Sequence, residues 1–482
     1  MDADVIVVGA GPTGLLLAGD LAEAGVAVTV LERRTGESNV TRAFAVHART
    51  MEELEIGGLA GELAKAGTPL QALRLFDRVR IDLSRLPSEF ASLLITPQYE
   101  TERVLQQRAD ALGVRIVRGA AVTGVTQDAD GVDVAVHGGT SYRASYVVGA
   151  DGVNSAVRKS LGLPFPGRSV IKSIMLADVR LASPPEDVLA VNGVGDGFAF
   201  VAPFGDGWYR VFAWNRRNQV EDTAPLDLAE IREVTRLALG TDFGMHDPRW
   251  LSRFHSDERQ VPRYRVGRVF LAGDAAHCHS PAGGQGMNTG LQDAANLGWK
   301  LAAVVHGWGD ESLLDSYHGE RHRIGRQVLR SSGAIIRLAL IRPWWGRQLR
   351  NMLGQILMGL PPVAARVAGT ISGIDIRYPA PRGMDRRVGT RVPNIRVTGG
   401  RLYDALRGGR FVLVGSDAPN VDLPLQVDAV EAAAPIGRLA LVRPDGYLAW
   451  VGTATEFPAW AGRYFQRSVL GSSRAVGYRP VS

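Results

Sequence analysis

VIVVGAGPTGLLLAGDLAEAGVAVTVLER, residues 5–33, carries the most informative pattern in the chain. Val5, Ile6, Val7 and Val8 are consecutive β-branched residues, as in a strand buried on both faces of a parallel sheet. Gly9, Gly11 and Gly14 then supply G-x-G-x-x-G, with Thr13 inside the loop. Such glycines allow a tight turn, close backbone approach to a pyrophosphate and close helix–strand packing. The helix that opens there presents free N–H groups to an anion. The spacing predicts that it runs to about Ala24 and stops at Gly25. Val26, Val28 and Val30 are expected to alternate along a second strand. Glu32 closes that strand, 18 residues after Gly14, where a carboxylate accepts ribose hydroxyls. Its charge disfavours a 2′-phosphate, so an ADP moiety fits best; Arg33 and Arg34 leave an NADP reading open.

The bulk composition sets the frame. A length of 482 residues suggests about three domains. With 45% hydrophobic and 22% charged residues the chain reads as soluble and globular. No apolar run reaches the roughly 18 residues of a bilayer span, and the N-terminus lacks a basic n-region. The expectation is a cytoplasmic protein with no membrane partner. A single cysteine, Cys278, rules out an internal disulfide and suits a reducing compartment. The net charge of +6 is spread along the chain, with no basic, aromatic-interleaved strip for nucleic acid.

Between the fingerprint and the next strong pattern the signals are weaker. In TRAFAVHARTMEELEIGGL (41–59), Arg42 and Arg49 flank a short apolar piece. One reading is a surface helix with solvated arginines. The other has Arg42 reaching a pyrophosphate or ribose, since guanidinium forks match such groups. ITPQYETERVLQQRADALG (95–113) predicts a turn at Pro97 and a helix capped by Thr101, with Gln98 in the loop. GADG (149–152) ends an apolar strand and reads either as a plain turn or as a loop that holds a ribose or a second pyrophosphate face. FAFVAPF (198–204) and WYRVFAW (208–214) predict a hairpin. Alternation puts Phe198 with Phe200, and Trp208 with Phe212 and Trp214, on single faces. These aromatics either fill a core or form a flat wall for a large planar ligand.

A second glycine loop stands in RVFLAGDAAHCHSPAGGQGMNTGLQDAANLGWKLAAVV (268–305). A buried strand ends in Gly273-Asp274, and a helix is expected to open near Gly286, Met287 and Asn288. Asp274 suits polyol hydroxyls, and the helix N–H groups suit an anionic ring edge. His277, Cys278 and His279 are too close in sequence to make a good zinc site without a distant ligand, so no metal is expected. Beyond residue 303 a helical tract is interrupted by Pro343 and Pro361-Pro362, and its Trp344 and Trp345 read as packing residues. A Pro/Gly/Arg-rich stretch (377–394) precedes a small α/β tail without cysteine, hairpinned at Pro444-Asp445-Gly446.

Three elements together, GAGPTG with Glu32, GADG, and AGDAAH with PAGGQGMN, resemble the single-component FAD-dependent aromatic hydroxylases. GTDFGMHDPRWLSRF (240–254) and the tail are similar to the branch acting on aromatic polyketides and rifamycins. The resemblance implies an α/β fold: a Rossmann-like FAD-binding domain of glutathione-reductase type, an inserted β-sheet substrate domain, and a C-terminal thioredoxin-like domain without redox cysteines. The corresponding boundaries are 1–75, 98–170 and 265–330; 76–97, 171–264 and 331–385; and 386–482.

It also implies non-covalent FAD held at Gly9, Gly11, Thr13, Gly14, Glu32, Arg33, Arg42, Gln98, Val122, Asp274, Gly286, Met287 and Asn288. Pro281 would lie beside the reactive face, and Phe198, Phe200, Trp208 and Phe212 would form the substrate wall. NAD(P)H would serve as transient electron donor. O2 would add at flavin C4a and pass oxygen to an electron-rich aromatic carbon of a large planar antibiotic or intermediate, in a monomer or homodimer. HCHSPAGG replaces the more usual H-x-H-P-P-x-G-G, and Met287 stands where leucine is commoner. The W-x-W-x-I-P pattern of flavin halogenases is missing. The remaining alternative is a flavin-bound protein that sequesters such a ligand without turnover.

Overall fold

The computed structural model describes residues 1–36, 43–76, 78–186, 188–205, 207–280, 283–339, 341, 343–416, 418, 423–433 and 437–465. Its backbone is a mixed α/β fold with several sheets. The strand Ala3–Val8 lies at the centre of an eight-stranded sheet, parallel to Val28–Glu32 on one side and to Ser141–Gly149 on the other. Arg115–Arg118 extends the parallel run beyond Val28–Glu32, and Val269–Leu271 extends it beyond Ser141–Gly149. Every residue of Val28–Glu32 is buried, so this strand is covered on both faces and does not alternate as expected.

The first helix is Pro12–Glu23, and Gly25 follows it with φ +83°, a conformation that favours glycine. It packs against the long helix Gln285–Val305. A Cβ on Gly298 would lie 3.2 Å from Asp20 Cβ, so a small residue there lets the two helices approach. Leu17, Leu291, Ala294 and Leu297 are all fully buried between helices and sheet.

A six-stranded antiparallel sheet forms the second layer. Its order is Ala190–Val194, Gly197–Pro203, Tyr209–Asn215, Gly167–Leu181, Met245–Gln260 and His277–Cys278. The helix Leu228–Leu239 buries Ile231 and Val234 on one face of it. The short strand His277–Cys278 comes directly from the second glycine loop and pairs with Arg259 and Gln260. That loop therefore stitches the two large sheets together.

Pro343 and Pro361 fall at helix starts, as their missing N–H and fixed φ favour. The helices are Asp315–Ala339, Trp344–Met358 and Pro361–Ser372. Trp344 and Trp345 are 70% and 60% exposed, which corrects their reading as packing residues. The tail carries a four-stranded sheet in the order Val427–Val430, Phe411–Val414, Leu439–Val442 and Leu448–Gly452, with its hairpin turn at the expected Pro444–Gly446.

Arg49 is fully buried, not solvated. It donates to Glu52 at 2.9 Å and to Glu53 and the Asp445 carbonyl, and it lies over the Tyr447 ring at 4.8 Å. The tail is thus fixed to the nucleotide-type core through buried charge. Lys300, Glu320 and Arg443 continue the same seam.

Candidate functional site

All the parallel strands of the large sheet end at one edge. The loops leaving that edge are Gly9–Gly14, Glu32–Arg34, Arg118–Val122, Gly149–Asp151 and Gly273–Asp274. The chain turns to opposite sides of Ala3–Val8 there, and such a switch point opens a crevice at the strand ends. Two sequence motifs 260 residues apart thus meet by topology.

The glycines divide by role. A Cβ on Gly14 would collide with the Gly9 carbonyl, and one on Gly9, at φ +106°, would lie 2.5 Å from the Ala150 carbonyl oxygen. Both are required by the chain itself. A Cβ on Gly11 would meet no protein atom within 4 Å; it would project into open space before the helix. Gly11 also caps the helix without a side chain, and the first turn holds no acid, so its N–H groups remain available to an anion. This cradle fits a pyrophosphate.

Thr13 joins the two loops. Cβ atoms built on Gly290 and on Gly273 would both run into its Oγ1, the latter at 2.7 Å. The first glycine loop, the second glycine loop and the long helix therefore touch at one hydroxyl.

Glu32 is buried, and its carboxylate already organises the loop. It accepts from the Ala10 N–H at 2.7 Å and from the Arg34 N–H and Nε at 2.8 and 3.1 Å. Burial acts to raise its pKa, but these bonds and the Arg34 charge outweigh it, and the group stays below its ordinary value. The neighbour that pairs with it is Arg34; Arg33 is exposed and outside this network. The Ala120 N–H donates to the Glu32 carbonyl, which places the half-buried Val122 just beyond this end of the crevice.

At the second loop Asp274 is exposed at the strand edge. Asp293, beneath it, is fully buried and accepts from the Gly273 N–H at 3.1 Å, His277 Nε2 at 2.6 Å and Arg321 Nε at 2.7 Å. Burial opposes its ionisation, yet His277 and Arg321 hold its pKa below the usual range. His279 in turn lies 2.8 Å from His277 Nδ1. These groups brace the loop, and among the described residues no three His, Cys, Asp or Glu gather to hold a metal. Burial pushes the Cys278 thiol up to about 12, so it is a poor nucleophile at neutral pH.

The long helix opens at Gln285 after Gly284, at φ +62°, again without a side-chain cap or first-turn acid. A Cβ on Gly286 would meet nothing within 4 Å, and Met287 is half-buried. The Asn288 side chain is committed. It donates to the Ala45 and Gly284 carbonyls and accepts from the His47 N–H at 2.8 Å. His47 Nε2 lies 2.9 Å from the Gly283 carbonyl, and burial pushes its pKa down to about 4.

Gln98 begins the helix Gln98–Ala111, with Pro97 as the flanking residue; Thr101 sits buried inside that helix and is not its cap. Gln98 pairs with Ala43, accepting from the Ala43 N–H at 3.2 Å, one residue before Phe44. Asp151 Oδ2 accepts from the Ala156 and Val157 N–H groups at 2.6 and 3.2 Å, as in a turn, while its Oδ1 is buried with no hydrogen-bond partner among the described residues, so the ligand-holding reading of GADG stands beside the turn.

Phe44 reaches the aromatic sheet. Its ring lies 4.8 Å from Phe200 and 5.9 Å from Phe212. Phe198 stands opposite Trp214 on the neighbouring strand, and Phe200 opposite Phe212. Phe44, Phe198 and Phe200 are half-buried over buried Phe212, Trp214 and Phe254. Trp208 is not part of this wall. It precedes the strand and lies between the Arg180 and Arg249 guanidiniums, at 4.9 and 4.5 Å. Period-two alternation fails there because the strand starts only at Tyr209.

Arg42 and Pro281 lie outside the described residues. Sequence reasoning missed Phe44, His47 and the Asp293–Arg321 pair, and it read Arg34 toward a 2′-phosphate rather than as the partner of Glu32. Phe44 and His47 flank Ala45-Val46 within RAFAVHART, where only the arginines drew attention.

Residues 2–332 match the FAD binding domain family, and residues 385–471 match the aromatic-ring hydroxylase C-terminal family. A rifampicin monooxygenase of Streptomyces venezuelae is 39% identical, over 95% of this chain and 98% of its own. The structure of OxyS anhydrotetracycline hydroxylase from Streptomyces rimosus superposes with a TM-score of 0.83 at 37% identity, covering 96% of this chain and 99% of its own. CabE, an aromatic hydroxylase from angucycline biosynthesis, superposes with a TM-score of 0.86 at 36% identity, with the same coverage. The chain belongs to the FAD-binding aromatic-ring hydroxylases and is an FAD-dependent monooxygenase.

Proposed function

We propose that this monooxygenase hydroxylates, or inserts oxygen into, a large aromatic polyketide or ansamycin-type antibiotic or intermediate. One oxygen atom of O2 enters the substrate, the other leaves as water, and NAD(P)H supplies two electrons. The observation that carries the reading is the Phe44–Phe198–Phe200 wall standing beside the long helix start. Phe44 directly precedes Ala45, whose carbonyl accepts from Asn288. Relatives named for rifampicin, anhydrotetracycline and angucycline chemistry support the same substrate class.

When bound, FAD supplies the redox and oxygen-activating chemistry. The chain supplies position and charge. In this assignment Gly9, Gly11, Thr13 and Gly14 hold the pyrophosphate, Glu32 the adenosine ribose and the backbone near Val122 the adenine. Gln98 and Asp274 hold the ribityl chain. The N–H groups at Gly286, Met287 and Asn288 face the pyrimidine edge, where the helix start stabilises negative charge by about 0.3–1 kcal/mol, or ~2 when shielded. The half-buried aromatic rings exclude water from the reacting face.

We also infer three units with the boundaries given above. The tail is the thioredoxin-like one, supported by its mixed four-stranded sheet. The enzyme is assigned as a cytoplasmic monomer or homodimer.

Oxygen uptake is the test. Purified enzyme with NADH or NADPH is screened over anthracycline, angucycline, tetracycline and rifamycin cores. Oxygen consumption that depends on one of these cores, with an oxygenated product, is the expected result. Tight binding of a core with no oxygen uptake would favour sequestration instead.

A further inference from the structure

The helix Trp344–Met358 turns its apolar side away from the protein. Its inner side is mostly small or polar, with Met358 at its end packing on the cluster of Leu73 and Ile81. Gly354 lies so close to Val79 that a Cβ would come within 2.6 Å of it, and Arg350 stacks over Phe76 at 3.9 Å while donating to the Leu338 carbonyl. Its outer side carries Trp344, Trp345, Leu349, Met352, Leu353 and Ile356, all exposed. Leu357 and Leu360 continue the row, so eight of the fifteen large exposed hydrophobics of the described residues fall between positions 344 and 360. An apolar surface of this continuity marks an interaction site.

Charge identifies the occupant. From Arg321 to Ile374 the sequence holds nine arginines and no Asp or Glu. Arg323, Arg326, Arg330 and Arg337 are exposed on the preceding helix Asp315–Ala339, spaced 3, 4 and 7 residues apart and therefore along one stripe. Two copies of this segment brought together would oppose like charge. An anionic surface would complement it.

We propose that this face docks on an anionic lipid surface, with the helix Trp344–Met358 lying in the plane of the headgroups. Paired tryptophans suit that boundary, having an apolar body and one polar N–H. A helix with an apolar side and flanking arginines binds in the interface without crossing it. No helix among the described residues is long and apolar enough to cross a membrane. Neither the lack of a bilayer-long apolar run nor the lack of a basic N-terminal region bears on in-plane docking. The next helix, Pro361–Ser372, packs through Ala368 onto the cluster that Phe44 and Phe200 also touch, so docking would turn the wall toward a reservoir of lipophilic molecules. The docking itself does not depend on the proposed substrate.

The test is co-sedimentation of the full-length, FAD-loaded protein with vesicles. Binding to 1:1 phosphatidylglycerol–phosphatidylcholine vesicles is expected to be at least about tenfold tighter than to pure phosphatidylcholine, and to weaken as salt rises. Trp344→Ser with Trp345→Ser, and separately Arg323→Gln with Arg326→Gln and Arg330→Gln, are each expected to cut binding about tenfold. Both should leave the flavin spectrum and NAD(P)H oxidation in solution unchanged. The proposal is overturned by an absence of vesicle binding, by equal binding to both lipid mixtures, or by tryptophan variants that bind as the parent does. A dimer that these tryptophan substitutions dissociate, in a protein that ignores vesicles, would assign the face to a second copy and overturn it too.

Discussion

Gly290→Ala probes the contact on which the site geometry rests. Alanine favours a helix interior over glycine by about 1 kcal/mol, so propensity alone predicts a more stable protein. At this position the new Cβ would collide with Thr13 Oγ1 and lie 3.1 Å from Gly273 Cα. Overpacking of this kind costs about 1–3 kcal/mol, which cancels or exceeds the gain. Moving Thr13, and with it the first glycine loop, away from the second relieves the collision. FAD has to restore the spacing when it binds, so affinity should fall by up to about 1–3 kcal/mol, or ~5- to 150-fold.

Thr13→Ala removes Oγ1 and leaves its Cβ 3.6 Å from the new methyl group. In that background the Gly290→Ala loss should shrink to a few-fold, whatever Thr13→Ala costs by itself. Isothermal titration of FAD against the parent, both single variants and the double variant gives the coupling energy. Parental FAD affinity in Gly290→Ala, or an equal loss in both backgrounds, would refute the reasoning.

Glu32→Gln replaces an acceptor of three N–H bonds by a group with one acceptor oxygen; FAD affinity should fall by about 1–3 kcal/mol in the same titration. Asp178→Asn leaves the buried Arg210 guanidinium without its bidentate partner and should destabilise the protein by about 3–5 kcal/mol in urea unfolding. His47 gives an acid slope. The unfolded chain titrates near 6.5 and the native ring only near 4, so between these values the unfolded state holds more protons and stability rises with pH. The contribution is complete above 6.5 and is lost by about 3 kcal/mol as pH falls to 4. His47→Gln should flatten the slope of unfolding free energy between pH 4.5 and 6.5. Phe200→Ala opens the aromatic wall and should divert NAD(P)H oxidation toward hydrogen peroxide, measured as a lower ratio of product formed to oxygen consumed.

Local chemistry made the glycine loops legible. Strand, glycines, helix and acid within residues 5–33 obey rules that need no distant partner, and the Gly273–Asn288 stretch repeats most of them. The hairpin at 198–214 was legible for the same reason. What the sequence hid depends on distant contacts. Arg49 reads as solvated until Asp445, 396 residues later, brings the tail over it. Phe44 joins the wall only because the antiparallel sheet folds back beside Gln98 and Ala43. Trp344 and Trp345 look like core residues because hydrophobicity alone does not say which side of a helix meets the protein.

A crystal structure of the FAD complex tests the central claim most directly. The account predicts the adenine between Glu32 and Val122, the phosphates before Gly11, and the tricyclic ring over Met287 and Asn288 with one face toward Phe44 and Phe200. A ring bound away from the start of Gln285–Val305, or phosphates away from the first glycine loop, would contradict it.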